Sequence, residues 1–179
     1  FRNFLPNARL NYKISKLTNL RASYRSSTNA PSISQLQPVI SISNPTSFYL
    51  GDPNLIPSYN QGVSANFKYG NPEKFTNFVF NLYGNYTIDP IGNETLIMDK
   101  DTIINGQTLL QNGQLITLVN LPDSWNIRSF INYGFLFKAI KCNINLMAGS
   151  GYSTIPGYVN RELGKTKSVS YMQGIVIAS

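Results

Sequence analysis

Apolar and polar side chains alternate along most of the chain with a period of two residues. This is the pattern of β-strands whose two faces meet different surroundings. In 59–69, for example, Val63 and Phe67 lie on one side of the strand, whereas Ser64 and Lys68 lie on the other. The pattern predicts an all-β fold with seven strands, at 8–14, 20–25, 59–69, 76–88, 125–138, 142–152 and 167–178.

The connections between the predicted strands alternate in length. Short turns are expected at 15–19, 70–75 and 138–141, and long links at 26–58, 89–124 and 153–166. Short turns at one end and long loops at the other are typical of an antiparallel up-and-down β-barrel that crosses a membrane. About 11 residues per strand, at 3.3 Å each and tilted near 45°, cover a hydrocarbon layer of roughly 25 Å. The sequence thus predicts about seven strands of a larger transmembrane barrel, with residues 1–179 forming part of a single barrel domain.

Charge separates the two faces of these strands. No residue assigned to the apolar faces is charged, although Met172 and Val176 leave the phase of the last strand ambiguous. A lipid-facing Arg or Lys near the bilayer midplane costs about 2–4 kcal/mol, so the outer wall of a barrel has to exclude both. The opposite faces carry no acid and seven cations, which we expect to line the lumen: Arg9, Lys13, Arg21, Arg25, Lys68, Arg128 and Lys138.

A soluble antiparallel sandwich is the main alternative, because its strands alternate as well. Such a sandwich would normally place more Lys, Glu and Asp on its wet face than this chain can supply. Only 13% of the residues are charged, about half the usual share. The barrel is therefore the favoured interpretation.

Composition removes several classes of function. The chain has no histidine, which excludes Ser-His-Asp catalysis and His-ligated zinc within it. Its one cysteine, Cys142, is expected to be a small apolar wall residue. The cations share a face that is poor in aromatic residues, which disfavours nucleic-acid binding despite a net charge of +7. No enzymatic activity and no cofactor are expected.

The link 26–58 carries the most particular sequence features. Ser32 can cap a turn of helix over 33–36 that Pro38 would end. Gly51-Asp52-Pro53 is typical of a tight turn. Around these features run Leu20-Arg21-Ala22-Ser23-Tyr24, then Pro31-Ser32-Ile33-Ser34-Gln35-Leu36-Gln37-Pro38, and later Gly51-Asp52-Pro53-Asn54-Leu55-Ile56-Pro57.

These motifs resemble the β-barrel of TonB-dependent receptors, most closely the outer-membrane barrel proteins of Bacteroidota. Ala30, Ile56 and Ser58 depart from that family, which usually has Arg, Lys and Glu there. The departures concern charged contacts and leave the turn scaffold intact. The residues that match the family loop motif are Pro31, Ser32, Ile33, Gln35, Leu36, Gly51, Pro53, Leu55 and Pro57.

The resemblance implies a barrel of about 22 strands with a plugged lumen, which imports a scarce ligand of the siderophore, glycan or peptide class across the bacterial outer membrane. Long loops would then face the cell exterior and short turns the periplasm. The implied partners are outer-membrane lipid, the rest of the barrel, a plug domain and TonB. The chain shows no plug domain or energy-coupling box and opens with Phe1-Arg2-Asn3, so we expect a piece of a larger protein.

Four of the eight acids lie in the first part of the link 89–124, within 89–101, at Asp89, Glu94, Asp99 and Asp101. Asp99 and Asp101 are weak candidates for a hard-cation site, because such ions need several carboxylate oxygens. Ile103 stands where EF-hand spacing requires another polar ligand, so ordinary solvation of an exposed loop is favoured. Asn105-Gly106 and Asn112-Gly113 predict hairpins in the same link.

The sequence therefore favours the barrel of a TonB-dependent receptor-like transporter in the outer membrane. Two alternatives stay open. One is an outer-membrane barrel that acts as an anchor or adhesin without transport. The other is a soluble extracellular sandwich that binds carbohydrate through exposed aromatic side chains.

Overall fold

The computed structural model describes residues 4–44 and 46–178 and shows a chain made mostly of β-strands. The opening Phe1-Arg2-Asn3 lies outside the described residues. One short helix interrupts the strands. In chain order the elements are β1 (Asn7–Lys13), β2 (Thr18–Asn29), α1 (Ile33–Leu36), β3 (Ser41–Asn44), β4 (Ser47–Leu50), β5 (Ser58–Asn71), β6 (Thr76–Ile88), β7 (Ile91–Ile97), β8 (Thr102–Ile104), β9 (Gln107–Leu109), β10 (Gln114–Asn120), β11 (Ser124–Phe137), β12 (Cys142–Val159) and β13 (Glu162–Ala178).

All seven predicted strands are present, as β1, β2, β5, β6, β11, β12 and β13, which we call the wall strands. Each wall strand pairs antiparallel with the next one along the chain. The three short turns follow β1, β5 and β11 and therefore lie at one end of the sheet. The up-and-down order is thus confirmed for the described residues, in which β1 and β13 form open edges and the sheet does not close on itself.

The register assigns every wall residue to one of two faces. Tyr24 opposes Val63, Val63 opposes Gly84, and Gly84 opposes Ile127, so these residues share the face that we call the apolar face. The same row continues through Tyr152 to Val169. This pairing resolves the phase of β13, because it places Val169 on the apolar face and Met172 on the opposite one.

The prediction of a long link at 153–166 is wrong. β12 and β13 continue through this segment as paired strands, and only Asn160 and Arg161 form the turn between them. Both have left-handed φ values, 50° and 67°, as a two-residue hairpin turn requires. The strand tolerates Pro156 because it lies beyond the part of β12 that pairs with β11, where a missing N–H breaks no ladder on that side.

The other two long links are not irregular loops. They contain α1, β3, β4 and β7 to β10, and β7 also pairs with the end of β12. The predicted Asn105-Gly106 hairpin is confirmed between β8 and β9, with left-handed φ values of 46° and 81°. Asn112 likewise has a φ of 62° and turns the chain before β10.

The apolar core of the described residues lies in these links, not against the wall strands. Its buried apolar side chains are Phe48, Leu55, Leu109 and Leu121. On the apolar face, by contrast, Val63 is 56% exposed and Tyr171 is 84% exposed. No second sheet covers this face in the part of the chain that the structure describes. This arrangement argues against the sandwich alternative.

Candidate functional site

The sheet places the predicted cations on one face, which we call the cationic face. Arg9 opposes Ser23, and the same row runs through Ser64 and Tyr83 to Arg128. Lys13 and Lys68 both oppose Asn19, and Arg25 opposes Gly62 one row further toward the long links. Six of the seven predicted cations therefore share a face. Whether that face lines a lumen stays a prediction.

Lys138 does not belong to this group. It was assigned to a strand at 125–138, but β11 ends at Phe137. Lys138 lies in the turn that follows, where its carbonyl oxygen accepts a hydrogen bond from the backbone N–H of Lys141 at 3.4 Å. Lys141 has a left-handed φ of 53°, so the chain reverses there and the strand alternation stops.

Three of the cations surround a concave basin in the cationic face. Arg9, Arg21 and Lys68 lie on adjacent strands, and none has a carboxylate partner among the described residues. The basin has a volume of about 640 Å³. Its remaining lining is polar apart from one alanine, namely Asn11, Asn19, Ala22, Ser23, Ser64, Asn66, Asn81 and Tyr83.

Hydrogen bonds between neighbouring strands form the floor of this basin. The Ser23 and Ser64 hydroxyl groups lie 2.7 Å apart, and Asn66 Nδ2 donates to Asn81 Oδ1 at 2.6 Å. Asn19 Oδ1 is buried without a hydrogen-bond partner. Two like charges about 8 Å apart repel by only about 0.5 kcal/mol in water, and by more in a less polar lumen. The arrangement suits an anionic group that would bridge the cations.

The loop motif begins with the helix turn that the sequence predicts. α1 starts after Ser32, whose Oγ accepts a hydrogen bond from the backbone N–H of Gln35 at 3.4 Å. Gln35 Oε1 in turn accepts from the backbone N–H of Ser32 at 2.8 Å. This capping box holds a single turn of helix that would be too short to persist alone.

The second half of the loop motif packs directly on the first. The backbone N–H of Asp52 donates to the carbonyl oxygen of Gln35 at 2.9 Å. A Cβ atom on Gly51 would lie 2.4 Å from the carbonyl oxygen of Gln37 and 2.5 Å from that of Gln35. Gly51 is therefore required by close backbone approach. The Asp52 carboxylate accepts from the backbone N–H of Asn54 at 2.8 Å and shapes the turn.

The loop motif is also attached to β10, through a residue that sequence reasoning missed. Asn120 Oδ1 accepts from the backbone N–H of Ile56, and Asn120 Nδ2 donates to the carbonyl oxygen of Ile56, both at 2.9 Å. The same Nδ2 donates to the carbonyl oxygen of Asp89 at 3.0 Å. Next to these contacts Leu55 is buried. The Asn120 side chain thus connects the link 26–58 to the link 89–124. Nothing in the neighbouring sequence signals that role.

The acids of the link 89–124 gain no support as a cation site. Asp101 Oδ1 accepts a hydrogen bond from the backbone N–H of Gln111 at 2.8 Å, which is a loop contact. Glu94 lies within β7, where it opposes Thr117, whereas Asp99 lies beyond the end of that strand. No group of three or more His, Cys, Asp or Glu side chains that could hold a metal ion occurs in the described ranges.

Aromatic side chains collect on the apolar face near the end that carries the long links. The rings of Tyr86 and Trp125 lie 4.4 Å apart, and the Tyr86 hydroxyl donates a hydrogen bond to the Asp123 carboxylate. On β12 the Tyr152 hydroxyl accepts from Thr154 Oγ1 at 2.9 Å. Such amphipathic rings suit the boundary between hydrocarbon and head groups. No helix in the described part of the chain is long and apolar enough to cross a membrane.

Comparison with solved structures supports the same architecture. The chain is similar in fold to the ferric enterobactin receptor PfeA, whose crystal structure was determined in complex with BCV-L6. The TM-score is 0.51 at 12% sequence identity, and the match covers 86% of this chain. It covers 26% of the receptor chain, so the present chain spans about a quarter of that protein's length.

Comparison with known sequences gives the family. No curated protein matches the chain. A profile of the outer membrane protein beta-barrel family matches residues 1–174, nearly the whole chain. The open meander of wall strands, with one apolar and one cationic face, agrees with that match. The chain belongs to the outer membrane protein beta-barrel family and is a protein of the bacterial outer membrane.

Proposed function

We propose that this chain forms part of the wall of a TonB-dependent receptor-like transporter, which imports a scarce ligand through a plugged barrel. The observation that carries the proposal is the division of the wall strands into an apolar face and a cationic face, on which the one acid of the described wall strands is Glu162 at the start of β13. In a barrel the apolar face meets lipid and the cationic face lines the lumen. The likeness in fold to a ferric enterobactin receptor supports the same assignment.

The cationic face requires negative charge opposite it in the complete transporter. Arg9, Arg21 and Lys68 surround a basin that no carboxylate of the described residues lines. A cluster of cations in a confined lumen gains stability when an anionic surface faces it. We therefore expect acidic residues of a plug domain, or an anionic ligand, to face this basin. The ligand itself is of the siderophore, glycan or peptide class.

Charge reversal tests this role of the cationic face. Arg21→Glu lies at the basin, and Arg128→Glu lies three strands away on the same face. In the full-length protein we expect each variant to lower outer-membrane assembly or energy-dependent uptake, because an acid would then face acidic partners. Lys74→Glu, in the turn after β5, is the matched control. Unchanged assembly and uptake in both variants would contradict the proposal.

A second experiment separates a plugged transporter from the anchor or adhesin alternative. The full-length protein is inserted into a planar bilayer and its conductance is measured before and after addition of urea, which unfolds a plug before it unfolds a barrel. A plugged transporter should be closed at first and open in urea. A barrel without a plug domain should show the same conductance throughout. Retention in the membrane after an alkaline carbonate wash distinguishes both from a soluble sandwich.

A further inference from the structure

The apolar face ends in two lysines on β13 that the predicted strand at 167–178 did not place. Lys165 and Lys167 precede Val169 at two-residue steps and so lie on the same side of the strand. The register agrees, because Lys167 opposes Thr154, which in turn opposes Trp125 of the apolar face. Both lysines are exposed. The lipid-facing side of the wall thus turns cationic toward the end that carries the long links.

The position of the lysines follows from strand geometry. An apolar band about 25 Å tall that starts at Ile177 and is crossed by a strand tilted near 45°, at 3.3 Å per residue, takes about 11 residues. It therefore ends between Lys167 and Lys165. Lysine stems extend along apolar surface while the ammonium groups reach the polar layer. Since the long loops of such barrels face the cell exterior, this layer is that of the outer leaflet.

No carboxylate among the described residues forms an ion pair with either of these two ammonium groups. Neither lysine has an ion-pair or hydrogen-bond partner among the described residues. Glu162 lies at the start of the same strand but opposes Val159 on the other face. Asp123, at the same end of the apolar face, accepts a hydrogen bond from the Tyr86 hydroxyl. The charge at this site is therefore left for an anion outside the described residues.

We propose that Lys165 and Lys167 bind the phosphate of an outer-leaflet lipid, with Trp125 and Tyr152 flanking its head group. Lysine binds phosphate as a point charge, and a basic residue at an anionic membrane surface strengthens binding about fivefold. The apolar residues below the lysines meet the acyl chains of the same lipid. The site belongs to the outer surface of the barrel and does not depend on whether the barrel transports a ligand.

Native mass spectrometry of the full-length protein tests the proposal. The protein in detergent is titrated with diphosphorylated lipid A and, separately, with phosphatidylcholine, and bound lipids are counted. Lys165→Ala/Lys167→Ala should weaken lipid A binding roughly 25-fold if the two contributions of about fivefold multiply. Binding of phosphatidylcholine should change little, because its phosphate is balanced by a choline on the same head group. Lys165→Arg/Lys167→Arg should retain lipid A binding.

The control is Lys74→Ala/Lys141→Ala, which removes the same charge from the turns at the opposite end of the sheet. Heat-modifiable migration on gels establishes that each variant is folded. Equal losses in both double variants would show a general effect of net charge and would overturn the proposal. So would unchanged lipid A binding in Lys165→Ala/Lys167→Ala. Displacement of lipid A by millimolar inorganic phosphate would show a free-phosphate site instead and would overturn it as well.

Discussion

Replacing one residue in the middle of the apolar face with arginine tests the assignment of the two faces directly. Ile131 lies near the centre of β11, opposite Phe80 on one side and Ala148 on the other. Its side chain is 40% exposed in this chain, and both residues directly opposite it are apolar. If the apolar face meets hydrocarbon, Ile131→Arg places a guanidinium close to the bilayer midplane.

The expected cost is large because arginine at that depth is poorly solvated. A lipid-facing Arg near the midplane destabilises a barrel by about 2–4 kcal/mol. At about 1.4 kcal/mol per factor of ten, this lowers the folding equilibrium constant by roughly 30-fold to 700-fold. The neighbouring Asn132 is the matched control. It lies on the cationic face, so Asn132→Arg should cost far less even though the same side chain is introduced one residue away.

The assay is reversible unfolding of the full-length protein from phosphatidylcholine vesicles in guanidinium chloride, followed by the heat-modifiable gel shift. Ile131→Arg should lower the midpoint strongly and Asn132→Arg only slightly. If the two variants lost equal stability, the faces would not differ in their surroundings. A larger loss in Asn132→Arg would reverse the assignment, with the cationic face buried and the apolar face wet.

Three further predictions concern the long links and Cys142 on the apolar face. Gly51→Ala should destabilise the fold of the loop motif by about 1–3 kcal/mol, because the new Cβ would meet two carbonyl oxygens. Limited proteolysis should then cut segment 30–57 faster. Gly70→Ala is the control and should not change the rate, because a Cβ there meets nothing within 4 Å. Asn120→Ala should remove both hydrogen bonds to Ile56 and expose its amide to faster hydrogen exchange; unchanged protection of that amide would contradict the bridging role. A polarity-sensitive probe on Cys142, with any cysteines elsewhere in the full-length protein replaced, should be quenched by lipid-attached quenchers and not by soluble iodide.

The strands and their faces were predictable because they depend on short-range alternation. In β5 and β6 most residues at alternate positions are apolar, and no other secondary structure keeps that set on one side. The capping box at Ser32 and the Asn105-Gly106 hairpin were predictable for a similar reason. Each is decided by the conformational preference of a few adjacent residues.

Features decided by contacts distant in sequence were not predictable. Asn120 gains its role only because β10 ends beside Ile56, which is 64 positions away. The sequence predicts a link at 153–166 because it does not show that β12 continues beyond the end of its pairing with β11. The sequence predicts Lys165 in a loop and the last strand only from Lys167, and only the extended β12–β13 pairing assigns both lysines to a face.

The open edges of the sheet carry unpaired backbone groups, which matter if the sheet lies in a membrane. β13 is 17 residues long and pairs only with β12 in the described residues. Along such an edge about half of the backbone N–H and C=O groups lack a partner, and each unpaired group costs several kcal/mol in hydrocarbon. Water could satisfy these groups around a soluble protein, but lipid cannot. If the apolar face lies in lipid, the free backbone groups of β13 therefore have to pair with a strand outside the described residues. The same requirement holds for the shorter edge strand β1.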